Sequence, residues 1–252
     1  MPTEDTQPRN WFDRGGEAYA RFRPDYPAAL AEFLGSISGN RNLAVDVGCG
    51  SGQLTTQLAD QFEQVIGLDP SADQLAQAKA DARILYRCSP AEEMAAPDQC
   101  ANLVSAAQAA HWFDLPRFYR EVRRVCMPDG MVALVSYGML RLEGALDERF
   151  ARFHGQEIGP YWPKERQWVD SGYAGLPFPF DELPTPSLEI RKVWTLEALL
   201  GYISTWSAVR RAREACQEKV LGEFAADLSG LWGNPLQPRE VRWPIRLRVG
   251  RC

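Results

Sequence analysis

The sequence predicts an α/β fold: a mostly parallel sheet of seven strands, helices on both of its faces, and a cap inserted after the fifth strand. Three observations predict it. Between residues 43 and 137, apolar runs of strand length alternate with stretches whose apolar residues recur at helical spacing; repeated βα units of that length give a parallel sheet covered on both faces. The stretch AVDVGCGSGQLTTQLAD, Ala44 to Asp60, joins a short apolar run to a helical one through glycines at 48, 50 and 52. After Tyr137 the rhythm breaks into a segment rich in aromatics, prolines and glycines, and two more strand-like runs follow.

Taken in order, the first five strands are expected at Leu43 to Val47, Gln64 to Leu68, Ile84 to Cys88, Ala101 to Ala106 and Met131 to Tyr137. Helices are expected between them at Gly52 to Gln61, Ala72 to Ala82, Pro90 to Ala95 and Leu115 to Val125. In the last of these, Leu115, Phe118, Tyr119, Val122 and Val125 share one face. The MPDG stretch, Met127 to Gly130, reads as a turn feeding the fifth strand. Beyond it, Gly144 to Ile158 reads as a helix and Tyr161 to Pro186 as a packed irregular cap. Leu188 to Trp194 reads as a strand, Leu196 to Leu228 as one or two helices, and Val241 to Val249 as a closing strand.

The chain has 252 residues, 45% hydrophobic and 24% charged, enough for one large or two small domains. It shows no internal repeat and no low-complexity segment, so a single domain over 1–252 is expected. Its parts are an amino-terminal arm or lid (1–40), a binding core (41–138), the cap (139–187) and a closing region (188–252). The net charge of -5 argues against nucleic acid or an anionic membrane surface as the partner and favours a small-molecule substrate. No stretch approaches the roughly 18 apolar residues of a membrane span, and the polar amino terminus does not read as a signal peptide. A soluble, cytoplasmic protein is the expectation. Six cysteines without a CxxC pair and only two histidines, His111 and His154, suit reduced thiols and give no metal site. The sequence leaves the oligomeric state open.

A strand, a glycine turn and a helix together aim backbone N–H groups and the positive helix end at a ligand. The dinucleotide fingerprint G-x-G-x-x-G/A fails here, because its last position falls on Gln53 or Thr55, and the nucleoside-triphosphate loop fails for want of a lysine. The spacing that matches is D-x-G-x-G-x-G, as Asp46, Gly48, Gly50 and Gly52. A bare structural reading would make it a tight turn capped by a carboxylate. In VIGLDPS (Val65 to Ser71) the strand ends in a second carboxylate, Asp69, which could accept hydrogen bonds from vicinal ribose hydroxyls or cap the next helix.

With CSPAEEM (Cys88 to Met94), NLVSAAQAAHWFD (Asn102 to Asp114) and REVRRVCMPDGMVALVSYG following in order, residues 41–138 resemble the class I S-adenosylmethionine (SAM) dependent methyltransferases. The resemblance implies a Rossmann-like fold with SAM as cofactor and S-adenosylhomocysteine as product. It implies that the cofactor is surrounded by Asp46, Gly48, Cys49, Gly50, Gly52 and Gln53 of the turn, and by Asp69 and Pro70 after the second strand. Ser89, Ala91 and Glu92 of the adenine segment, and Ala107, Gln108 and Trp112 beyond the fourth strand, complete the set. Pro90 stands where many relatives carry an aspartate for the adenine amino group, so that contact must come from Glu92 or a backbone carbonyl.

AYARFRPDYP (Ala18 to Pro27), AAHWFD (Ala109 to Asp114) and YISTWSAV (Tyr202 to Val209) are together similar to the trans-aconitate methyltransferase-like branch, whose fungal members methylate carboxylates of small acids. The resemblance implies a small acceptor, with a carboxylate as one class. A methyltransferase of a macromolecule and a non-catalytic SAM-binding protein are the alternatives. His111 either orients an acceptor oxygen or takes a proton, or else packs beside Trp112 and Phe113. Arg23, stiffened by Pro24 and Pro27, suits a carboxylate of either the acceptor or the cofactor tail. The aromatics Trp11, Phe12, Tyr19, Phe22 and Tyr26, and Tyr161, Trp162, Trp168, Tyr173, Phe178 and Phe180, fold over the sheet edge as a lid or join the core. Arg21, Arg23, Lys164 and Arg166 are the charges among them.

Overall fold

The structure, a computed structural model, describes residues 24–252. Its strands are β1 (Leu43–Val47), β2 (Gln64–Asp69), β3 (Ile84–Cys88), β4 (Ala101–Ala107), β5 (Cys126–Tyr137), β6 (Asp181–Glu182), β7 (Leu188–Trp194) and β8 (Arg239–Arg251). They form one sheet in the order β3-β2-β1-β4-β5-β8-β6, with β7 also paired to β8. The first five strands are parallel, and β8 runs antiparallel to β5, β6 and β7. The seven expected strands are joined by an eighth, two-residue β6.

Along β5 the side chains alternate between two cores, as the pleat requires. Met131, Ala133, Val135 and Tyr137 join one cluster, while Val132 and Leu134 join the other. The first core is covered by α1 (Ala28–Ile37), α2 (Gln53–Leu58), α5 (Ala145–Arg152), α7 (Leu196–Ser204), α8 (Ser207–Glu214) and α9 (Glu218–Trp232). The second is covered by α4 (Leu115–Val125), which buries Phe118, Tyr119, Val122 and Val125, and by α6 (Arg166–Asp170) with the chain after it. Asp114 caps α4, its carboxylate accepting from the Arg117 N–H.

Three expectations about helices are corrected. Ala72 to Ala82 is helical only as α3 (Ala72–Leu75), because Gln74 is its one buried residue and a short helix without an apolar face to bury is marginal. Pro90 to Ala95 is not helical; Ser89 Oγ donates to the Glu93 carbonyl and accepts from the Ala95 N–H, and the Glu121 carboxylate takes the Met94 N–H. Leu196 to Leu228 is three helices, broken at Trp206, whose backbone is extended, and at Cys216, which lies in the left-handed region at φ 57°. The expected helix from Gly144 continues past α5 as a π-helical turn, Phe153–Glu157.

The MPDG turn is a bulge inside β5. Pairing with β4 jumps from Ala101–Cys126 to Leu103–Met131, and Asp129 adopts φ 65°. The cap aromatics are core. Tyr161 and Trp162 pack on the first cluster, and Trp168, Tyr173, Phe178 and Phe180 on the second. The segment thus crosses from one face of the sheet to the other. Cys126 and Cys252, far apart in sequence, stand side by side as free thiols.

Candidate functional site

The carboxyl ends of β2, β1, β4 and β5 stand side by side, and a cavity of about 920 Å³ opens above them. Doubly wound sheets bind ligands at this edge, where the connections diverge to opposite faces. The glycine turn is clamped against β2: the N–H groups of Gly48 and Cys49 both donate to the Leu68 carbonyl, at 2.7 and 2.9 Å. Gly48, Gly50 and Gly52 all have positive φ, which glycine adopts without strain.

The three glycines serve different ends. A Cβ on Gly48 would lie 2.5 Å from Ala109 Cβ, so this glycine lets the turn touch the segment after β4. A Cβ on Gly52 would strike the Tyr86 hydroxyl. At Gly50 a Cβ would meet nothing closer than Gln74 Oε1 at 3.7 Å and Gln53 Oε1 at 3.9 Å, and both of those residues line the cavity. The backbone at Gly50 can therefore be approached closely by a ligand.

Two carboxylates flank the turn. Asp46 is 1% exposed, and its oxygens accept from Thr55 Oγ1 at 2.7 Å and Ser105 Oγ at 2.8 Å. Burial pushes its carboxyl up to about 6; the two hydroxyls pull the other way, and the charge of Asp69 adds a smaller upward push. Asp69 accepts from the Gly50 N–H at 2.8 Å and the Ser71 N–H at 2.9 Å, one on each oxygen, and burial raises its carboxyl too. A carboxylate has roughly four acceptor positions, so about two remain for a ligand. Ser71, not Asp69, caps α3, accepting from the Gln74 N–H. Burial and the two carboxylates also push the Cys49 thiol upward, so it stays protonated.

Of the residues expected at the site, Asp46, Gly48, Cys49, Gly50, Gln53, Asp69 and Pro70 line the cavity from the β1 and β2 side. Ala91 and Glu92 line it from the loop after β3, and Ala107, Gln108, His111 and Trp112 from the end of β4. Gly52 and Ser89 are not on the wall. Gly52 backs onto Tyr86, and Ser89 holds its own loop. Arg23, with Arg21 and the aromatics Trp11, Phe12, Tyr19 and Phe22, lies outside the described residues. Glu92 spends one carboxylate oxygen on the Asp114 N–H, tying the loop after β3 to the start of α4.

Gln108 has φ 56°, and its side chain donates to the Tyr137 carbonyl at 2.5 Å. That contact joins the tips of β4 and β5. His111 lies in a single 3-10 turn, Ala110–Trp112, with its ring 4.7 Å from that of Trp112 and Nδ1 3.0 Å from Tyr173 Oη. Tyr26, Tyr137, Gln74, Arg117 and Glu165 line the cavity and were not singled out as site residues beforehand. Position at a strand end could have found Tyr137. Glu165 gives no local sign, since it reaches the wall only because the cap crosses the sheet edge. Among the described residues no group of histidines, cysteines and carboxylates could hold a metal ion, and no helix is long and apolar enough to cross a membrane.

The cavity fits SAM by the chemistry of its donors and acceptors. It offers an open cradle at Gly50, spare acceptors on Asp69 for hydroxyls, and buried negative charge that a cationic ligand would relieve. Comparison with known proteins agrees. The family described as a methyltransferase domain matches residues 45–134. A Dictyostelium discoideum protein named as a methyltransferase is 33% identical over 228 residues, covering 88% of this chain and 87% of its own length. A Mycobacterium tuberculosis protein named as a methyltransferase is 32% identical over 75% of this chain and 74% of its own length. A solved structure from Anaeromyxobacter dehalogenans, described as a type II methyltransferase, superposes with a TM-score of 0.87 at 44% identity, over 91% of this chain and 98% of its own. The chain therefore belongs to the class I SAM-dependent methyltransferases, enzymes of Rossmann-like α/β fold.

Proposed function

We propose that this methyltransferase acts in the cytoplasm on a small molecule, transferring the methyl group to a carboxylate oxygen. The observation that carries the reading is a continuous cavity of about 920 Å³, spread over the strand tips from Asp69 on β2 to Tyr137 on β5. Sites of roughly 300–1,000 Å³ enclose small molecules, and this one has room for cofactor and acceptor together. SAM supplies a methyl carbon already activated by the sulfonium. The chain's own task is to align the acceptor oxygen and exclude water.

In this reading Asp69 accepts from the ribose hydroxyls, the backbone around Gly50 lies against the methionine part, and the buried charge of Asp46 favours its ammonium group. Ala91, Glu92 and Pro90 flank the base. Gln108 and Trp112, at the β4 tip, stand near the sulfonium, and His111 meets the acceptor. A carboxylate is ionised at neutral pH and needs no base, only donors that hold it in place. The likeness to the trans-aconitate methyltransferase-like branch supports this acceptor class. The test is a screen of di- and tricarboxylic acids, phenols and amines with radiolabelled SAM. Label in small acids is the expected result. Label that disappears on protease or nuclease treatment would move the acceptor to a macromolecule, and no transfer at all would leave a SAM-binding protein without catalysis.

A further inference from the structure

Tyr173 sits in the cap but points under the catalytic edge. It is fully buried, its backbone is in the left-handed region at φ 63°, and its hydroxyl lies 3.0 Å from His111 Nδ1. Two hydrogen-bond arrangements are conceivable: the phenol donates to Nδ1, or a protonated Nδ1 donates to the phenol.

The surroundings decide between them. Among the described residues the hydrogen-bond partner of the buried Tyr173 hydroxyl is His111 Nδ1. A donor at Nδ1–H would leave the phenolic proton buried without an acceptor, which is strongly disfavoured. Burial holds the Tyr173 phenol well above its ordinary range, so the proton stays on it. The proton must then be given to Nδ1, and a neutral ring that accepts at Nδ1 carries its own hydrogen at Nε2.

We propose that Tyr173 is a positioning residue that fixes His111 as its Nε2–H tautomer, so that the ring offers a bound acceptor a hydrogen-bond donor and not a base. The inference rests on reading the cavity as the methylation site. It narrows the acceptor to one whose oxygen is already deprotonated, because a protonated Nε2 cannot take a proton from a phenol or an ammonium group. It also gives the left-handed backbone at Tyr173 a purpose, since that turn aims a cap side chain at a residue 62 positions earlier in the chain.

The chain has only two histidines, so ring nitrogen-15 NMR reads the tautomer directly, and His111→Gln assigns the signals. The expected spectrum near neutral pH shows His111 protonated at Nε2 and bare at Nδ1. An Nδ1–H spectrum in the unaltered protein overturns the proposal, whether or not any variant folds. In Tyr173→Phe the fixed tautomer should give way to a mixture. Turnover of the acceptor found in the screen should fall about tenfold or more, while affinity for S-adenosylhomocysteine is unchanged. A glutamine amide can donate but cannot accept a proton, so His111→Gln should keep activity within about tenfold of the parent where His111→Ala loses it. Glutamine as inactive as alanine, or Tyr173→Phe with unchanged tautomer and turnover, also overturns it. An Nε2–H spectrum with no carboxylic acid methylated counts against the acceptor reading alone and upholds the tautomer.

Discussion

Asp46→Asn should make the ligand-free protein more stable near pH 7.5 while weakening its hold on SAM. In the folded protein the Asp46 carboxyl titrates near 6, against an ordinary 3.8, and burial is the main cause. Between those values the native state holds a proton that the unfolded chain has released. The contribution of Asp46 to stability is therefore complete below about pH 4 and is lost as the pH rises through 6. A shift of roughly two units corresponds to about 3 kcal/mol. Asparagine keeps the shape, accepts from one of Thr55 and Ser105, and donates to the other hydroxyl, so the hydrogen bonds survive without the charge. Thermal unfolding of both proteins, followed from pH 4.5 to 8, is the assay. The gap in stability between variant and parent should open across the window and reach an order of 3 kcal/mol above pH 7. Taking the difference removes the opposite contribution of His154, which both proteins share. A gap that stays flat with pH, or a variant less stable at pH 7.5, would refute the reasoning.

The remaining expectations address neighbouring residues. Asp69→Asn should weaken S-adenosylhomocysteine binding by about 1.5–3 kcal/mol, ten- to a hundredfold, with the fold intact; calorimetric titration showing unchanged affinity would remove Asp69 from the ribose site. Asparagine is the better probe than alanine here, because its amide oxygen still accepts from one of the Gly50 and Ser71 N–H groups, whereas alanine strands both. Gly48→Ala should destabilise by about 2–5 kcal/mol, combining a left-handed backbone with the collision at Ala109, and denaturant unfolding measures it. Gly50→Ala meets open space and should lose only about 1–2 kcal/mol of stability, with a clear loss of cofactor affinity. His154 is buried among Phe150, Trp162 and Trp206, its Nε2 has no hydrogen-bond partner among the described residues, and burial holds its imidazole down to about 4. Its contribution is full above pH 6.5 and is lost as the pH falls toward 4, so His154→Phe should unfold less readily than the parent at pH 4.5 and show a flatter acid limb.

How much of this was legible in advance follows from the range over which each signal acts. β1, β3, β7 and α4 fall on their expected limits because strand and helix periodicity and the Asp114 cap are written within each segment. The D-x-G-x-G-x-G turn was readable for the same reason: glycines in a left-handed turn between a strand and a helix form a local pattern. The alanine-rich stretch after Ser71 misled, because helix propensity does not sustain a helix that has no apolar face to bury.

The sequence by itself determined the parallel strands with their helices and the two carboxylates beside the glycine turn, since each depends on contacts within a segment or between consecutive segments. Only the tertiary structure decided which partners those groups meet. Ser105 reaches Asp46 across 59 residues because β4 pairs beside β1, and Tyr173 reaches His111 because the cap crosses the sheet edge. Aromatics such as Trp168 and Phe178 have the same composition in a lid as in a core, and they became core where the returning chain met an exposed apolar face. Such contacts come from strand order and chain crossing, which set distances between residues far apart in the chain, and no spacing along the chain encodes those distances.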